Sequence, residues 1–384
     1  MEHLINEAVK NIEISGIRKF SNMVAGTEDM ISLTIGQPDF PTPLHVKEAG
    51  KRSIDENFTS YTHNAGDIRL RKAASQFMKE KYNLSYNPES EVIVTIGASE
   101  AIDIAFRTIL EEGSEVILPG PVYPGYEPII KLCGAKPIYV DIREHEFRFT
   151  AEVIAPYITE QTRCIVLPYP SNPTGVSLSV DELTAIADLL TKKDIFILAD
   201  EIYSELVYDQ PHVSIASYLR DQTIVINGLS KSHAMTGWRM GFLYAPENIS
   251  KHMLKVHQYN VTCATSIAQM AALEALTTGI NDALPMREAY LERRDYVFDR
   301  LSKMGLHVQK PDGAFYFFVK IPLTGISSFD FCLSLAKEEK VAVVPGSAFS
   351  SYGEGYFRLS FACSMEILVE GLNRIETYLK KVQA

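Results

Sequence analysis

The chain has 384 residues, of which 46% are hydrophobic and 22% are charged. Its 48 acidic and 37 basic residues give a net charge of −11 at pH 7. This composition is typical of a globular protein of about two domains, and it excludes collagen, coiled coils and disordered chains. The acidic excess argues against a basic surface for nucleic acid, so no nucleic-acid partner is expected.

The five cysteines are too widely spaced for a zinc ribbon or a C-x-x-C redox site. Their odd number in a long chain argues against a disulfide framework, and we expect no metal site. No apolar run approaches the roughly 18 residues that a membrane-spanning helix needs. The first residues also lack the basic and then apolar pattern of a secretory signal. We therefore expect a cytoplasmic protein with no membrane partner.

Short apolar runs that alternate with helical periods occupy the first two thirds of the chain. The predicted strands are Glu91–Thr95, Glu115–Leu118, Lys136–Val140, Cys164–Leu167, Ile195–Ala199, Thr223–Asn227 and Met240–Tyr244. Helices are predicted at Ser99–Glu112, Gly125–Cys133 and Val180–Lys192, and one continuous helix at about Ile249–Thr278. Strands that are apolar throughout and alternate with helices indicate an α/β fold with a largely parallel sheet covered on both faces.

The last hundred or so residues follow a different pattern, typical of a smaller α+β domain. Helices are predicted at Leu284–Met304, Ser328–Glu338 and Ile367–Lys380, and strands at Ala314–Val319, Val341–Val344 and Phe357–Phe361. The amphipathic segment Glu2–Val24 is predicted to join this part. We therefore predict a large domain at residues 46–279 and a small domain formed by residues 1–45 and 280–384.

Charged residues follow two of the predicted strands. Asp200 comes directly after Ile195–Ala199, and Lys231 follows Thr223–Asn227 in the segment Gly228-Leu229-Ser230-Lys231. Because ligands bind at the carboxyl ends of parallel strands, we expect both side chains to face one crevice. The chain lacks the glycine-rich dinucleotide and phosphate-loop motifs, the H-E-x-x-H zinc motif and the G-x-S-x-G hydrolase motif.

These residue types suit pyridoxal 5'-phosphate. That cofactor needs a lysine amine for an imine bond, and Lys231 is the candidate. A carboxylate such as Asp200 beside the pyridine nitrogen keeps the ring protonated, which makes it a better electron sink. The phosphate needs donors, and the start of the helix at Ser99, together with Ser230 and Arg239, would supply them.

A series of motifs between about residues 30 and 360 resembles, in the same order, those of class I and II aminotransferases of pyridoxal-phosphate fold type I. The motifs are Ile35-Gly36-Gln37-Pro38-Asp39-Phe40, Tyr61-Thr62-His63-Asn64-Ala65-Gly66, Gly97-Ala98-Ser99, Tyr169-Pro170-Ser171-Asn172-Pro173-Thr174-Gly175, Asp200-Glu201-Ile202-Tyr203, the segment from Ser230 to Arg239, and Phe357-Arg358-Leu359-Ser360. The resemblance implies a large cofactor-binding domain with a mostly parallel sheet, a smaller α+β domain, and a homodimer.

The resemblance also implies a role for each matching residue. Lys231 would bind the cofactor covalently and then move a proton, Asp200 would hold the ring nitrogen protonated, and Tyr203 would bond the ring hydroxyl. Further implied cofactor contacts are Gly97, Ala98, Ser99, Tyr123, Asn172, Ser230 and Arg239, with Tyr61 reaching the phosphate from the partner subunit. The implied substrate contacts are Gly36, Asn172 and Arg358, of which Arg358 would clamp the α-carboxylate.

The implied reaction is ping-pong transamination between an amino acid and 2-oxoglutarate. Within the family the chain resembles the group assigned to N-acetyl-LL-diaminopimelate in lysine biosynthesis, notably through Ile14–Phe20, Asn227–His233 and Gln258–Val261. Arg18 and Lys19 are then candidates for binding the far end of that long substrate. An aromatic or broad-specificity aminotransferase remains an alternative, and a C–S β-lyase could use almost the same cofactor site.

Overall fold

A computed structural model describes residues 1–382 of the chain. In chain order, the strands are β1 Ile31–Ser32, β2 Val92–Ile96, β3 Glu115–Gly120, β4 Lys136–Asp141, β5 Thr162–Leu167, β6 Phe196–Asp200, β7 Thr223–Gly228, β8 Met240–Tyr244, β9 Tyr316–Lys320, β10 Val341–Ala342, β11 Val344–Pro345 and β12 Tyr356–Ser360. Each predicted strand between residues 91 and 244 is present, with ends that differ by at most two residues.

The helices alternate with these strands. The α-helices are α1 Glu7–Lys10, α2 Gly16–Val24, α3 Leu44–Asp55, α4 Ile68–Tyr82, α5 Gly97–Ile109, α6 Tyr126–Leu132, α7 Ala151–Ile154, α8 Val180–Leu190, α9 Leu229–Ser232, α10 Glu247–Val261, α11 Ser266–Thr277, α12 Ala283–Lys303, α13 Ser328–Glu339 and α14 Met365–Val382. Short 3₁₀ helices cover Glu2–Leu4, Arg143–His145, Ala155–Tyr157, Ile215–Ser217, Arg220–Gln222, Thr236–Trp238 and Ser351–Gly353.

The central sheet has seven strands in the order β2-β8-β7-β6-β5-β3-β4. Strand β8 runs antiparallel to β7 and β2, and the other neighbouring pairs are parallel. The predicted α/β fold with a mostly parallel sheet is therefore confirmed. Because β8 is reversed, its first residue lies at the same edge of the sheet as the last residues of the parallel strands.

Alternation along each strand divides the core into two layers. In β5, Cys164 and Val166 pack in the cluster formed with α5, α6 and α10, whereas Ile165 and Leu167 pack in the cluster with α4, α8 and α11. Both sets are buried because successive side chains point to opposite faces of a sheet. This two-sided burial explains why the strands are apolar throughout.

A second group of elements surrounds the antiparallel sheet β11-β12-β9 and the short parallel pair β1-β10. Its core contains residues of β9, β12, α12, α13 and α14, together with Phe20 and Val24 of α2. The N-terminal helix α2 thus packs with the C-terminal part of the chain, as its apolar face suggested. The domain limits at residues 45/46 and 279/280 stay a prediction.

Two predicted elements are wrong in detail. The helix expected over Ile249–Thr278 is two helices, α10 and α11, because Thr262 has a φ of 67° and cannot continue a right-handed helix. The strand expected at Val341–Val344 is divided: β10 pairs with β1, whereas β11 pairs with β12. The amphipathic segment Glu2–Val24, for which no element bounds were predicted, forms a 3₁₀ turn and the helices α1 and α2.

Across residues 1–382, no helix combines the length and the apolar character needed to cross a membrane. The five cysteines are free thiols. In the same part of the chain, no group of three or more histidine, cysteine, aspartate or glutamate side chains is arranged to hold a metal ion.

Candidate active site

The carboxyl-terminal edge of the central sheet brings the predicted site residues together from separate strands. Asp200 is the last residue of β6, and Lys231 lies in the short helix α9 that follows β7. Ser99 lies in the first turn of α5, which begins where β2 ends, and Arg239 immediately precedes the reversed strand β8. The topology therefore converts residues far apart in sequence into one cluster.

A cavity of about 270 Å³ lies at this edge. Its lining includes eleven of the predicted site residues: Gly36, Ala98, Ser99, Tyr123, Asn172, Asp200, Tyr203, Ser230, Lys231, Arg239 and Arg358. The remaining lining residues are Ile17, Thr34, Ile102, Tyr126, Pro168, Pro170, Ile202, Thr236 and Tyr316.

Lys231 is half-buried and its ammonium group donates a hydrogen bond to the carbonyl oxygen of Gly36. Burial lowers the pKa of Lys231 to about 8, and the positive charges of Arg358 and Arg239 add to the effect, while Asp200 opposes it. An amine with such a pKa is partly neutral near physiological pH. It is therefore suited to act as a nucleophile and as a base.

Asp200 is buried at the floor of the cavity. Its Oδ2 accepts a hydrogen bond of 2.6 Å from the hydroxyl of Tyr126, and its Oδ1 accepts one of 3.3 Å from the backbone N–H of Ile202. Within residues 1–382 its carboxylate forms no salt bridge. Burial raises the pKa of Asp200, although the hydrogen bond from Tyr126 works in the opposite direction. The side chain is thus a buried acceptor without a matching cation.

The start of α5 and the side chain of Arg239 form a cationic corner of the cavity. Gly97 has a φ of +76°, and a Cβ there would lie 2.6 Å from Nη2 of Arg239, so only glycine fits. Arg239 donates from Nη1 to the carbonyl oxygen of Thr236 at 2.9 Å, and no carboxylate of the described residues forms a salt bridge with it. With the helix N-terminus, this corner is suited to an anion.

Arg358 lies on β12 on another side of the cavity, and it is only 2% exposed. It donates from Nη1 to Oδ1 of Asn172 at 2.9 Å and from Nη2 to the carbonyl oxygen of Thr34 at 2.7 Å. Its Nε has no hydrogen-bond partner among residues 1–382. The guanidinium carbon lies 4.3 Å from the ring centroid of Tyr316 and 5.0 Å from that of Phe349. Burial lowers the pKa of Arg358, since no carboxylate compensates its charge.

Comparison with known proteins identifies the family of this chain. Residues 28–375 match the family model described as aminotransferase class I and II. The chain belongs to this family. A protein of Bacillus subtilis (strain 168) named Probable N-acetyl-LL-diaminopimelate aminotransferase is 65% identical over 100% of this chain and 98% of its own length.

Solved structures agree with the fold of this aminotransferase. The crystal structure of Pyrococcus protein A1 has a TM-score of 0.95 and 40% identity, and the match covers 98% of this chain and 99% of that one. An aromatic aminotransferase from Pyrococcus horikoshii OT3 has a TM-score of 0.90 and 40% identity, covering 96% and 99%.

Two tyrosines of the candidate site were missed from the sequence. Tyr126 bonds Asp200, and the hydroxyl of Tyr316 lies 2.8 Å from that of Tyr203 while its ring faces Arg358. Tyr126 begins the helix three residues after the predicted Tyr123, so the same loop carried a signal. Tyr316 stands in the aromatic run Ala314–Phe318, where its hydroxyl was the only hint of a polar role.

Four predicted residues are absent from the cavity lining, and of these only Gly97 lies beside it, next to Arg239. Tyr61 is 85% exposed and lies in a separate surface depression with His63 and Met270. Arg18 and Lys19 are exposed, and Lys19 forms a salt bridge of 2.9 Å with Glu13. Their neighbour Ile17 is the residue of α2 that reaches the cavity.

Proposed function

We propose that the cavity binds pyridoxal 5'-phosphate, the cofactor of the fold type I aminotransferases to which the chain belongs. The observation that supports this most is the arrangement of charges left without counterions. The carboxylate of Asp200 is complementary to a protonated ring nitrogen, and the cationic corner at Arg239 is complementary to a phosphate. The residues therefore fit both ends of the cofactor.

When bound, the cofactor supplies an aldehyde for the amino group and a ring that accepts an electron pair. The protein supplies the other functions. Lys231, with its lowered pKa, would hold the cofactor through Nζ in the resting enzyme. Once the amine of the substrate has taken its place on the cofactor, the freed Nζ would accept the proton from the α-carbon. Asp200 stabilises the positive charge on the ring nitrogen. Tyr203 and Asn172, which line the cavity, would bond the ring oxygen, and Tyr123 would stack on the ring.

Arg358 is proposed to bind the α-carboxylate of the substrate. Its guanidinium is held between two aromatic rings and by two neutral acceptors, which leaves its charge available for an anion. The carbonyl of Gly36 bonds Lys231, which brings the predicted substrate-binding backbone beside the reacting amine.

For the substrate we propose N-acetyl-LL-diaminopimelate, with 2-oxoglutarate as amino acceptor, in lysine biosynthesis. The 65% identity with the Bacillus subtilis protein of that name supports it. The distal carboxylate needs a further cation, since Lys231, Arg239 and Arg358 are the cationic residues of the described cavity lining. Arg18 is the better candidate of the predicted pair, because it follows Ile17 at the cavity wall whereas Lys19 is bound to Glu13.

An aromatic or broad-specificity donor is the second candidate. Tyr123, Tyr126 and Tyr316 line the cavity, and aromatic rings suit an apolar donor side chain. The similarity to the Pyrococcus horikoshii aromatic aminotransferase supports the same candidate.

We further propose a homodimer in which Tyr61 of one protomer completes the phosphate site of its partner. The support is the position of Tyr61, which is exposed and distant from the cavity of its own chain. Sedimentation should give a dimer or an assembly of dimers, and a fully active monomer would contradict the proposal. A cytoplasmic location stays a prediction.

The deciding experiment measures kcat/KM for N-acetyl-LL-diaminopimelate, phenylalanine, tyrosine, aspartate and alanine with 2-oxoglutarate. We expect the diaminopimelate donor to be preferred, and Arg18→Ala to lower its kcat/KM without changing that of alanine, with Lys19→Ala as control. A tenfold preference for an aromatic donor, about 1.4 kcal/mol of transition-state binding, would replace this substrate by the second candidate. Release of pyruvate and ammonia from a thioether amino acid without use of 2-oxoglutarate would instead indicate a C–S β-lyase.

A further inference from the structure

A buried histidine contacts the back of the helix that begins at the cationic corner. His257 of α10 is fully buried, and its Nδ1 lies 2.6 Å from Oε1 of Glu100. Glu100 follows Ser99 directly in α5, and its second carboxylate oxygen accepts the backbone N–H of Ile96 at 2.6 Å. The Glu100 side chain thus closes the turn between β2 and α5.

The hydrogen bond of the other ring nitrogen of His257 determines how many protons the His257–Glu100 pair holds. Nε2 lies 2.9 Å from the carbonyl oxygen of Asn64, which can only accept a hydrogen bond. Nε2 therefore carries a proton, and a second proton must lie between Nδ1 and the carboxylate of Glu100. Wherever that second proton resides, the His257–Glu100 pair has no net charge.

The net charge of the His257–Glu100 pair matters because Glu100 lies next to the cationic corner. The backbone N–H groups of the first turn of α5 and the side chain of Arg239 form the cationic corner proposed for the phosphate. A free carboxylate one residue beyond Ser99 would repel a phosphate dianion across a poorly solvated region, where charges interact more strongly than in water. His257 removes this repulsion without removing the hydrogen bond that closes the turn.

We infer that His257 is a positioning residue for the phosphate end of the cofactor site: it neutralises Glu100 so that the first turn of α5 accepts a dianion. The inference rests on the proposed cofactor and concerns its phosphate group alone. Asp200 and Tyr203, at the ring end of the site, form no hydrogen bond or salt bridge with His257, whose polar partners are Glu100 and Asn64.

The test compares two probes, pyridoxal 5'-phosphate and pyridoxal, which differ only in the phosphate. The full-length protein is freed of cofactor and titrated with each probe, and binding is followed by absorbance. His257→Gln leaves Glu100 as an uncompensated carboxylate, and we expect its affinity for pyridoxal 5'-phosphate to fall about tenfold or more. Its affinity for pyridoxal should stay within about twofold.

Glu100→Gln is the matched neutral variant, since its amide can accept from Ile96 and donate to a neutral His257. We expect Glu100→Gln alone to bind pyridoxal 5'-phosphate like the parent, and the double variant His257→Gln/Glu100→Gln to recover most of the affinity that His257→Gln loses. A control is His45→Gln, because His45 bridges Glu274 and Asp282 away from the cavity. It should leave the ratio of the two affinities unchanged.

The possible outcomes distinguish failure of this inference from failure of the cofactor proposal. If the unsubstituted protein binds neither probe, the cofactor proposal fails. If it binds pyridoxal 5'-phosphate but His257→Gln weakens both probes equally, His257 has only a structural role. If His257→Gln does not fold, Glu100→Gln decides alone: a tenfold loss of pyridoxal 5'-phosphate would mean that the carboxylate assists binding, and would overturn the inference.

Discussion

Arg294 and Arg358 are each no more than 2% exposed, and they lie in opposite electrostatic environments. Arg294 of α12, 1% exposed, forms salt bridges with Asp209 and Asp295 and donates to the carbonyl oxygen of Pro311. Arg358, in the cavity, has two neutral acceptors and an Nε without a partner among the described residues. Burial alone would lower the pKa of both, but the two carboxylates raise that of Arg294 above its ordinary value.

Such a difference is expected between a buried charge that stabilises the fold and a buried charge that binds a ligand. A buried cation with its counterions satisfied contributes to the folded state, whereas an uncompensated one lowers its stability unless a ligand supplies the charge. By this criterion we assign Arg358, Lys231 and Asp200 to the proposed functional site and Arg294 to the scaffold. Substitution of the cavity residues should therefore lower activity more than stability, whereas substitution of Arg294 should lower stability more than activity.

The largest effect is expected at Lys231. Lys231→Ala removes both the covalent link and the base, so turnover should fall about 10⁴-fold or more, while the phosphate and ring contacts still hold the cofactor. Absorbance spectra should show bound cofactor without the imine band. Transamination near the parent rate by purified Lys231→Ala would refute the assignment of the site.

The comparison of the two arginines can be tested directly. Arg358→Met should lower kcat/KM about 10²–10³-fold, because a buried charged partner of the substrate carboxylate is lost. In the absence of cofactor, its melting temperature should equal or exceed that of the parent, since an uncompensated buried charge is removed. Steady-state kinetics and thermal unfolding measure the two effects on the same sample.

The matched variant Arg294→Met should behave in the opposite way. Its kcat/KM per folded molecule should stay within about twofold of the parent. Its free energy of unfolding should fall by about 1–3 kcal/mol, a moderate loss because Asp209 and Asp295 are 61% and 51% exposed and remain solvated. Equal losses of activity and stability in both variants would show that the distinction between the two arginines is wrong.

Substitution of Asp200 tests whether a buried negative charge without a counterion in the cavity also serves activity. Asp200→Ala should lower kcat about 10²–10³-fold, because the ring nitrogen loses its partner, and Asp200→Glu should restore part of the loss. The control is Asp312→Asn, since Asp312 lies outside the cavity and pairs with Arg148. If Asp200→Ala transaminates as fast as Asp312→Asn, the proposed orientation of the ring is wrong.

The sequence predicted those features that depend on short stretches of chain. The strands β5, β6 and β7 are apolar because both faces are covered, and Asp200 and Lys231 were recognisable as polar residues following such strands. The break at Thr262 was not visible, because its positive φ is accompanied by a bond from the side chain of Asn64, nearly two hundred residues earlier, to the Thr262 carbonyl.

Contacts between distant segments could likewise not be predicted from the sequence. Asp295, which follows Arg294 directly, was a possible partner in the local sequence, but Asp209 lies 85 residues away. The acceptors of Arg358, Asn172 and Thr34, come from equally distant segments, so the sequence did not show that both are neutral groups. The pairing of Glu100 with His257 has the same origin. Such pairings determine which charges remain available for a ligand, so the charge distribution of the site required the structure.

The smallest effect concerns the rate at which Lys231 captures the cofactor at different pH values. Because burial, Arg358 and Arg239 lower its pKa from 10.5 to about 8, the reactive neutral amine is the minority form below pH 8 and the majority form above it. The rate constant for binding of pyridoxal 5'-phosphate to cofactor-free protein, followed by absorbance, should rise about tenfold per pH unit below 8 and level off above it. In Arg358→Met one neighbouring positive charge is absent, so the midpoint should move to higher pH, whereas Arg294→Met should leave it unchanged. A rate that rises steadily to pH 10 in the parent would mean that Lys231 titrates as an ordinary solvated lysine and that the unpaired charges of the cavity do not act on it.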